Sequence, residues 1–154
     1  MTTVVRRPRP RLDVYTDGAC SGAPGPGGWA WAADSGNLQD SGFEPLTTNQ
    51  RMEMRAVLEA IQSLGSRYRI TIHSDSAYVI NCFEQNWWYS WRKNGWRSSQ
   101  GKPVSNKDLW EPLIDAVISN HVKFVKVKGH SGNAGNEYVD RLAVQAKNSG
   151  RTRV

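Results

Sequence analysis

The chain of 154 residues holds only two cysteines, Cys20 and Cys82. Two cannot form a disulfide framework, and they lack the spacing of a zinc site. No apolar run approaches the ~18–20 residues of a membrane span. The opening MTTVVRRPRP lacks the apolar stretch of a secretory signal. The expectation is a cytoplasmic protein, a monomer with no membrane partner. His73, His121 and His130 show no HExxH or paired spacing. The glycine-rich GAPGPGG lacks the Lys-Ser/Thr ending of a phosphate-binding loop and opens no helix. Ser74 has no flanking nucleophile-elbow glycines. Zinc-protease, P-loop and serine-hydrolase chemistries are therefore set aside.

Acidic residues are missing from two stretches. The formal net charge is +6, from 20 Lys+Arg against 14 Asp+Glu. Residues 1–12 hold four arginines and no acid, and residues 85–107 hold five cations and no acid. The remainder, with 11 basic and 14 acidic residues, is slightly acidic. Four of the seven tryptophans (Trp87, Trp88, Trp91 and Trp96) lie inside the second basic stretch. Cations interleaved with rings suit a surface that holds phosphates and stacks on sugars or bases. Trp87, Trp88 and Trp91 also stand at helical spacing, so one or two of these rings are expected to anchor the segment to the core.

A length of 154 residues predicts a single domain. Alternation of Leu12, Val14 and Thr16 against Asp13, Tyr15 and Asp17 predicts a strand ending near Cys20. Residues 21–28 read as a turn-rich connection, 29–34 as a second strand and 40–46 as a third. Thr47 or Thr48 is placed to cap a helix through about Leu64, with Gly65 at its C-terminal side. A strand over 69–75 precedes a helix over 76–85 that runs into the Trp-rich stretch. A helix over 106–121 carries the stripe Leu109, Leu113, Val117 and Ile118, with Pro112 tolerable near its start. A strand over 122–129 follows, and then a helix over 134–147 with Val139, Leu142, Ala143 and Ala146 inward. This order is a mixed α/β domain, with a hairpin meander and helical crossovers between parallel strands.

Several acids stand where a solvated surface does not explain them. Asp17 lies within a strand beside Gly18, and Asp75 ends another strand. If the two strands are parallel neighbours, both acids meet at one edge of the sheet. Glu53 shares a helix side with Val57 and Ala60, and Asp140 adjoins the inward Val139. Taken singly, each acid could cap a helix or pair with a cation. Converging carboxylates repel unless they are protonated or share a metal. Oxygen-only ligation selects Mg²⁺ or Mn²⁺.

Five ordered segments resemble one family. They are YTDGAC with GPGGWAW, TTNQRMEMRA, IHSDSAYV, NWWYSWRKNGW with KPVSNKDLW, and VKGHSGNAGNEYVDRLA. Together they resemble type 1 ribonuclease H over nearly all of residues 12–147. The resemblance implies a ribonuclease H-like fold, a five-stranded mixed sheet in βββαβαβα order flanked by helices. Residues 12–148 would form the catalytic domain, 1–11 a flexible basic tail, 149–154 a C-terminal tail, and about 85–107 the family's basic protrusion. It further implies an endonuclease that cuts the RNA strand of an RNA–DNA hybrid. The family's metal-binding acids fall on Asp17, Glu53, Asp75 and Asp140, and its catalytic histidine on His130. Thr48 and Asn106 match positions that hold a DNA phosphate or line its channel, and Asn49 and Gln50 match a region at the minor groove. Ala23 and Ala77 depart from the Asn and Gln that relatives often carry at substrate-contacting positions.

Two Mg²⁺ ions about 3.5–4 Å apart can supply the nucleophile, neutralise the phosphorane-like charge and stabilise the leaving oxygen. Asp17 is the expected bridge between them. Asp140 is assigned to the water-activating ion, and Glu53 and Asp75 to the ion at the leaving 3′-oxygen. The products would be 5′-phosphate and 3′-hydroxyl ends. Mn²⁺ is an alternative metal, and His130 is cast as a proton shuttle or a product gate. RNA is told from DNA by its 2′-hydroxyl, for which Cys20, Ser21, Asn49, Gln50 and Glu53 are candidates. Trp87, Trp91, Trp96, Arg51, Thr48 and Asn106 are candidates for the DNA strand, with Arg92 and Lys93 as cations of the protrusion. The competing readings are a non-cleaving hybrid-binding module and a DNA-directed nuclease of the same fold.

Overall fold

The computed structural model describes residues 8–34, 37–129 and 132–151. Strands β1 (Arg11–Cys20), β2 (Gly25–Ala33) and β3 (Gln39–Thr47) form an antiparallel meander. Helix α1 (Asn49–Leu64) crosses to β4 (Arg69–Ser74), which lies parallel to β1. Helices α2 (Ala77–Glu84), α3 (Trp87–Lys93) and α4 (Lys107–Asn120) lead to β5 (Lys123–Lys126), parallel to β4. Helix α5 (Ala134–Arg151) follows. The sheet order is β3-β2-β1-β4-β5, the five-stranded mixed sheet flanked by helices that the sequence predicts.

The two faces of the sheet are covered unequally. A side chain on Gly27 would meet Met52 of α1, and one on Gly28 would meet Ala143 and Ala146 of α5. Successive strand residues point to opposite faces, so α1 and α5 sandwich the meander. Helix α1 packs its buried Met52, Met54, Val57 and Ile61 on Leu12, Val14, Ile70 and Ile72, with Trp110 and Leu113 of α4 behind it. Helix α5 packs on β1, β2 and β3. On that face, Arg69, Lys123 and Val125 stay exposed.

The local signals act where they were expected. Thr48 caps α1, its hydroxyl accepting from the Arg51 N–H at 3.2 Å, and Gly65 ends the helix at φ 61°. Five expectations need correction. Half of the glycine-rich 21–28 run is strand, because β2 begins at Gly25 and pairs with Thr47. The Trp-rich stretch opens a separate helix, since Asn86 adopts φ 57° and breaks the chain direction after α2. Strand β5 has four residues rather than eight. Ile118 is 44% exposed, because α4 turns Leu109, Trp110, Leu113, Ile114 and Val117 inward instead. Residues 9–11, expected in a flexible tail, are bonded to the body: Arg69 donates its backbone N–H to the Pro10 carbonyl and its side-chain Nε to the Arg9 carbonyl.

Candidate active site

Tyr15 and His73 are aligned neighbours on the parallel strands β1 and β4. Asp17 and Asp75 each lie two residues further on, so the same register carries both acids to one edge on one face. Glu53 joins them from α1. A β-carbon on Gly18 would collide with the backbone of Met52 and Glu53. The missing side chain is what lets the helix approach the strand. One carboxylate oxygen from each of Asp17, Glu53 and Asp75 lies within 4.8 Å of the others. Asp140 of α5 is near enough to share a hydrogen bond with Asp17.

Burial and mutual repulsion govern this cluster. Asp17 is 6% exposed. Burial first, then the charges of Asp75 and Asp140, push its carboxyl up to about 8 against the Gly18 N–H, which donates to it at 2.9 Å. Glu53 is likewise raised, chiefly by burial and then by Asp75, while Ser76 and Asn49 hold it back. The Asn49 amide donates to Glu53 at 2.9 Å. Asp75 is framed by two serines. The Ser76 N–H donates to the Ser74 hydroxyl at 3.0 Å, and the Ser76 hydroxyl caps α2 through the Val79 N–H. Desolvated carboxylates at this distance need protons or cations between them. An all-oxygen donor set of this charge fits a hard divalent ion.

Residues 9–148 match the family model of RNase H. The chain belongs to the ribonuclease H family. It is 49% identical over 136 residues to Ribonuclease H of Syntrophomonas wolfei, covering 86% of this chain and 93% of that one. It is 46% identical over 149 residues to Ribonuclease H of Thermus thermophilus, covering 94% and 89%. Its fold is similar to that of LC9-RNase H1, described as a type 1 RNase H with the type 2 active-site motif. The TM-score is 0.80 at 32% identity, over 94% of this chain and 75% of that one.

The other candidate residues of this ribonuclease H family member fall into groups. Cys20 lies among carbonyl oxygens, its thiol within 3.3–3.5 Å of Gly22, Gly25 and Thr47. Asn49 and Gln50 are exposed at the start of α1, beside the carboxylates, and Ser21 follows Cys20 at the end of β1. Arg51 reaches across to α4, donating to Asn106 at 3.3 Å and to both oxygens of Asp108 at 2.9 and 2.7 Å. Trp87, Trp91 and Trp96 are half-buried, with Trp91 tilted against Trp110 at 5.5 Å and against Trp96 at 5.7 Å. Arg92 pairs with Asp115 at 2.7 Å, and Lys93 lies over the Tyr89 ring at 4.3 Å. His130 lies outside the described residues.

Two residues that the sequence reading missed complete the Arg51 region. Asp108 fixes the guanidinium. Tyr78 accepts from both the Trp110 indole at 3.0 Å and the Asn106 amide at 3.3 Å. Asn106 itself is held at φ 64°. The spacing N-x-D at the start of a helix was a signal for Asp108. Nothing local marked Tyr78, whose hydroxyl meets α4 only through the fold.

Proposed function

We propose that this chain is an endonuclease that hydrolyses the RNA strand of RNA–DNA hybrids, leaving 5′-phosphate and 3′-hydroxyl ends. The observation that carries this reading is the cluster of buried Asp17 with half-buried Glu53 and Asp75 at one sheet edge, with a raised Asp17 carboxyl. Relatives 46–49% identical bear the name Ribonuclease H. Asp17, Glu53, Asp75 and Asp140 would hold Mg²⁺, with Mn²⁺ as an alternative. Bound divalent ions supply charge neutralisation at the scissile phosphate and an activated water.

The chain's own residues set up that chemistry. Gly18 admits Glu53 to the site, and the Asn49 amide orients its carboxylate. The Gly18 N–H fixes one oxygen of Asp17. His130 is assigned to carry a proton or to gate product release. Asn49 and Gln50, exposed next to Glu53, are positioned to read the 2′-hydroxyl and the minor groove. Thr48, Arg51 and Asn106 form the polar edge of a second channel, and Trp87, Trp91 and Trp96 with Arg92 and Lys93 offer a ring-and-cation surface for the DNA strand. Backbone contacts of this kind carry little base information, so cleavage should be broad in sequence. Residues 12–148 are the proposed catalytic domain and about 85–107 its protrusion. The chain is read as a monomer working in the cytoplasm. Among the described residues no helix is long and apolar enough to cross a membrane.

The test is a labelled RNA–DNA hybrid incubated with Mg²⁺. Parent protein should cut only the RNA strand, and Asp17→Asn or Asp75→Asn should lower the rate by about 10²–10³-fold, in line with removing a charge-stabilising group from a reaction centre. Unchanged rates in both variants would overturn the assignment. Hybrid binding with no turnover would leave a binding module, and equal cutting of duplex DNA would leave a DNA-directed nuclease.

A further inference from the structure

The three parallel strands β1, β4 and β5 all begin at one end of the sheet, remote from the carboxylates, and each begins with a cation: Arg11, Arg69 and Lys123. Arg11 is the register partner of Arg69, and Lys123 is the partner of Thr71, two residues along from Arg69. By the alternation of strand side chains, all three face the side on which α5 packs over the meander. Arg9 joins them, its guanidinium donating to the Ser66 carbonyl at 3.2 Å and its own carbonyl held by Arg69. Together with Phe124 and Val125 these residues line an open groove of ≈ 510 Å³.

Cations in neighbouring register positions repel one another. Asp13 answers one of them, pairing with Arg11 at 2.9 Å, but it is shared with His73 at 2.8 Å. Arg69 spends its Nε on a carbonyl, which holds the guanidinium in place without neutralising it. The four cations therefore form a surface organised for an anion. That surface is not purely polar. Val125 is 42% exposed beside the cations, while half-buried Phe124, stacked on Phe83 at 5.0 Å, backs the groove from the opposite face. Fixed cations beside exposed apolar surface suit a ligand that alternates phosphate with a flat ring, as a single nucleic-acid strand does. A duplex hides its ring faces.

We propose that this groove is a second nucleic-acid site, which takes the phosphates and unstacked bases of a single strand and performs no cleavage. Arg11 lies six residues before Asp17 on the same strand, so the groove stands about 20 Å from the carboxylate cluster at ~3.3 Å per residue. It is separate from that cluster and from the Trp-rich segment, and it does not rest on the proposed cleavage reaction.

Amide resonances measured while titrating an eight-nucleotide oligo-dT test this. Shifts at residues 69–71 and 121–125 should saturate together. In the double variant Arg69→Gln/Lys123→Gln, built on two exposed side chains, binding read at those amides should weaken about tenfold or more. The slope of log affinity against log salt should fall by about 1.4, as expected for two lost contacts to a single strand. Unshifted amides at 69–71 and 121–125, or a variant that binds like the parent, would overturn the proposal. So would saturation by inorganic phosphate at the same concentration as the oligonucleotide, or an acid-rich peptide that binds the groove more tightly than oligo-dT. Cleavage of a blunt hybrid should not change in the variant, and this readout separates loss of the groove from loss of the catalytic reading.

Discussion

The backbone nitrogen of Glu53 occupies the space that a β-carbon on Gly18 would require. Gly18 is not at a left-handed φ, so its role is close approach rather than turn formation. The prediction is that Gly18→Ala forces α1 away from β1. Overpacking of this kind costs about 1–3 kcal/mol, measurable as a lower denaturation midpoint. Mn²⁺ affinity measured by calorimetry should fall alongside it, because Glu53 leaves with the helix.

Asp17 predicts a pH dependence whose sign follows from its raised carboxyl. Its folded value is pushed up to about 8 from an ordinary 3.8. The folded state therefore holds a proton that the unfolded state gives up. Its contribution to stability is fully present below about 3.8 and is lost as pH rises through about 8. Metal-free protein should thus lose thermal stability between neutral and mildly alkaline pH. Excess Mg²⁺ should cancel that loss, and Asp17→Asn should flatten the metal-free profile. Melting curves at pH 6 and pH 9, with and without Mg²⁺, check all three.

Arg51 is held by both oxygens of Asp108, which is itself 66% exposed. An ion pair so open to solvent contributes about 0–1 kcal/mol to stability. Its value lies in aiming the guanidinium beside Asn106. Asp108→Asn should leave the melting temperature nearly unchanged and raise KM for the hybrid several-fold, with kcat preserved. A fall in kcat with constant KM would contradict the positioning role.

Trp110 and Trp87 should behave differently. Trp110 of α4 is fully buried, with α1 packed on its helix and the Trp91 ring 5.5 Å away, so Trp110→Ala should cost about 3–5 kcal/mol of stability. Trp87 is half-buried, with its indole bonded to the exposed Gln85 at 3.0 Å. Trp87→Ala should mainly weaken hybrid binding, by about 1–3 kcal/mol if a ring stacks there. Denaturation and equilibrium binding on the two variants separate the roles.

Much of the architecture was legible because its causes are local. The Thr48 cap and the Gly65 stop bound α1 as expected, and alternation over 12–17 marked β1. Misplaced acids were equally legible, since Asp17 interrupts an apolar strand and Asp75 ends one. Ile118 misled because a helical stripe fits two adjacent faces, and only α1 packing against α4 chooses between them. The 21–28 glycines resembled a turn, yet Gly27 and Gly28 are the thin point where helices press on both faces of a strand.

The amino-acid sequence by itself determined the kind of fold and the order of its elements, and it marked acids that a solvated surface does not explain, because period, caps and unexplained charge are written along the chain. Which groups meet was decided only by the tertiary structure. Parallel register carries Asp17 to Asp75, and a missing β-carbon admits Glu53. Arg51 finds Asp108 from 57 residues away. The same register gathers Arg11, Arg69 and Lys123 from three strand starts into one groove, which Arg9 joins through its bonds to Ser66 and Arg69. Net charge counts cations without locating them, and an electrostatic site depends on distances that only a folded chain possesses.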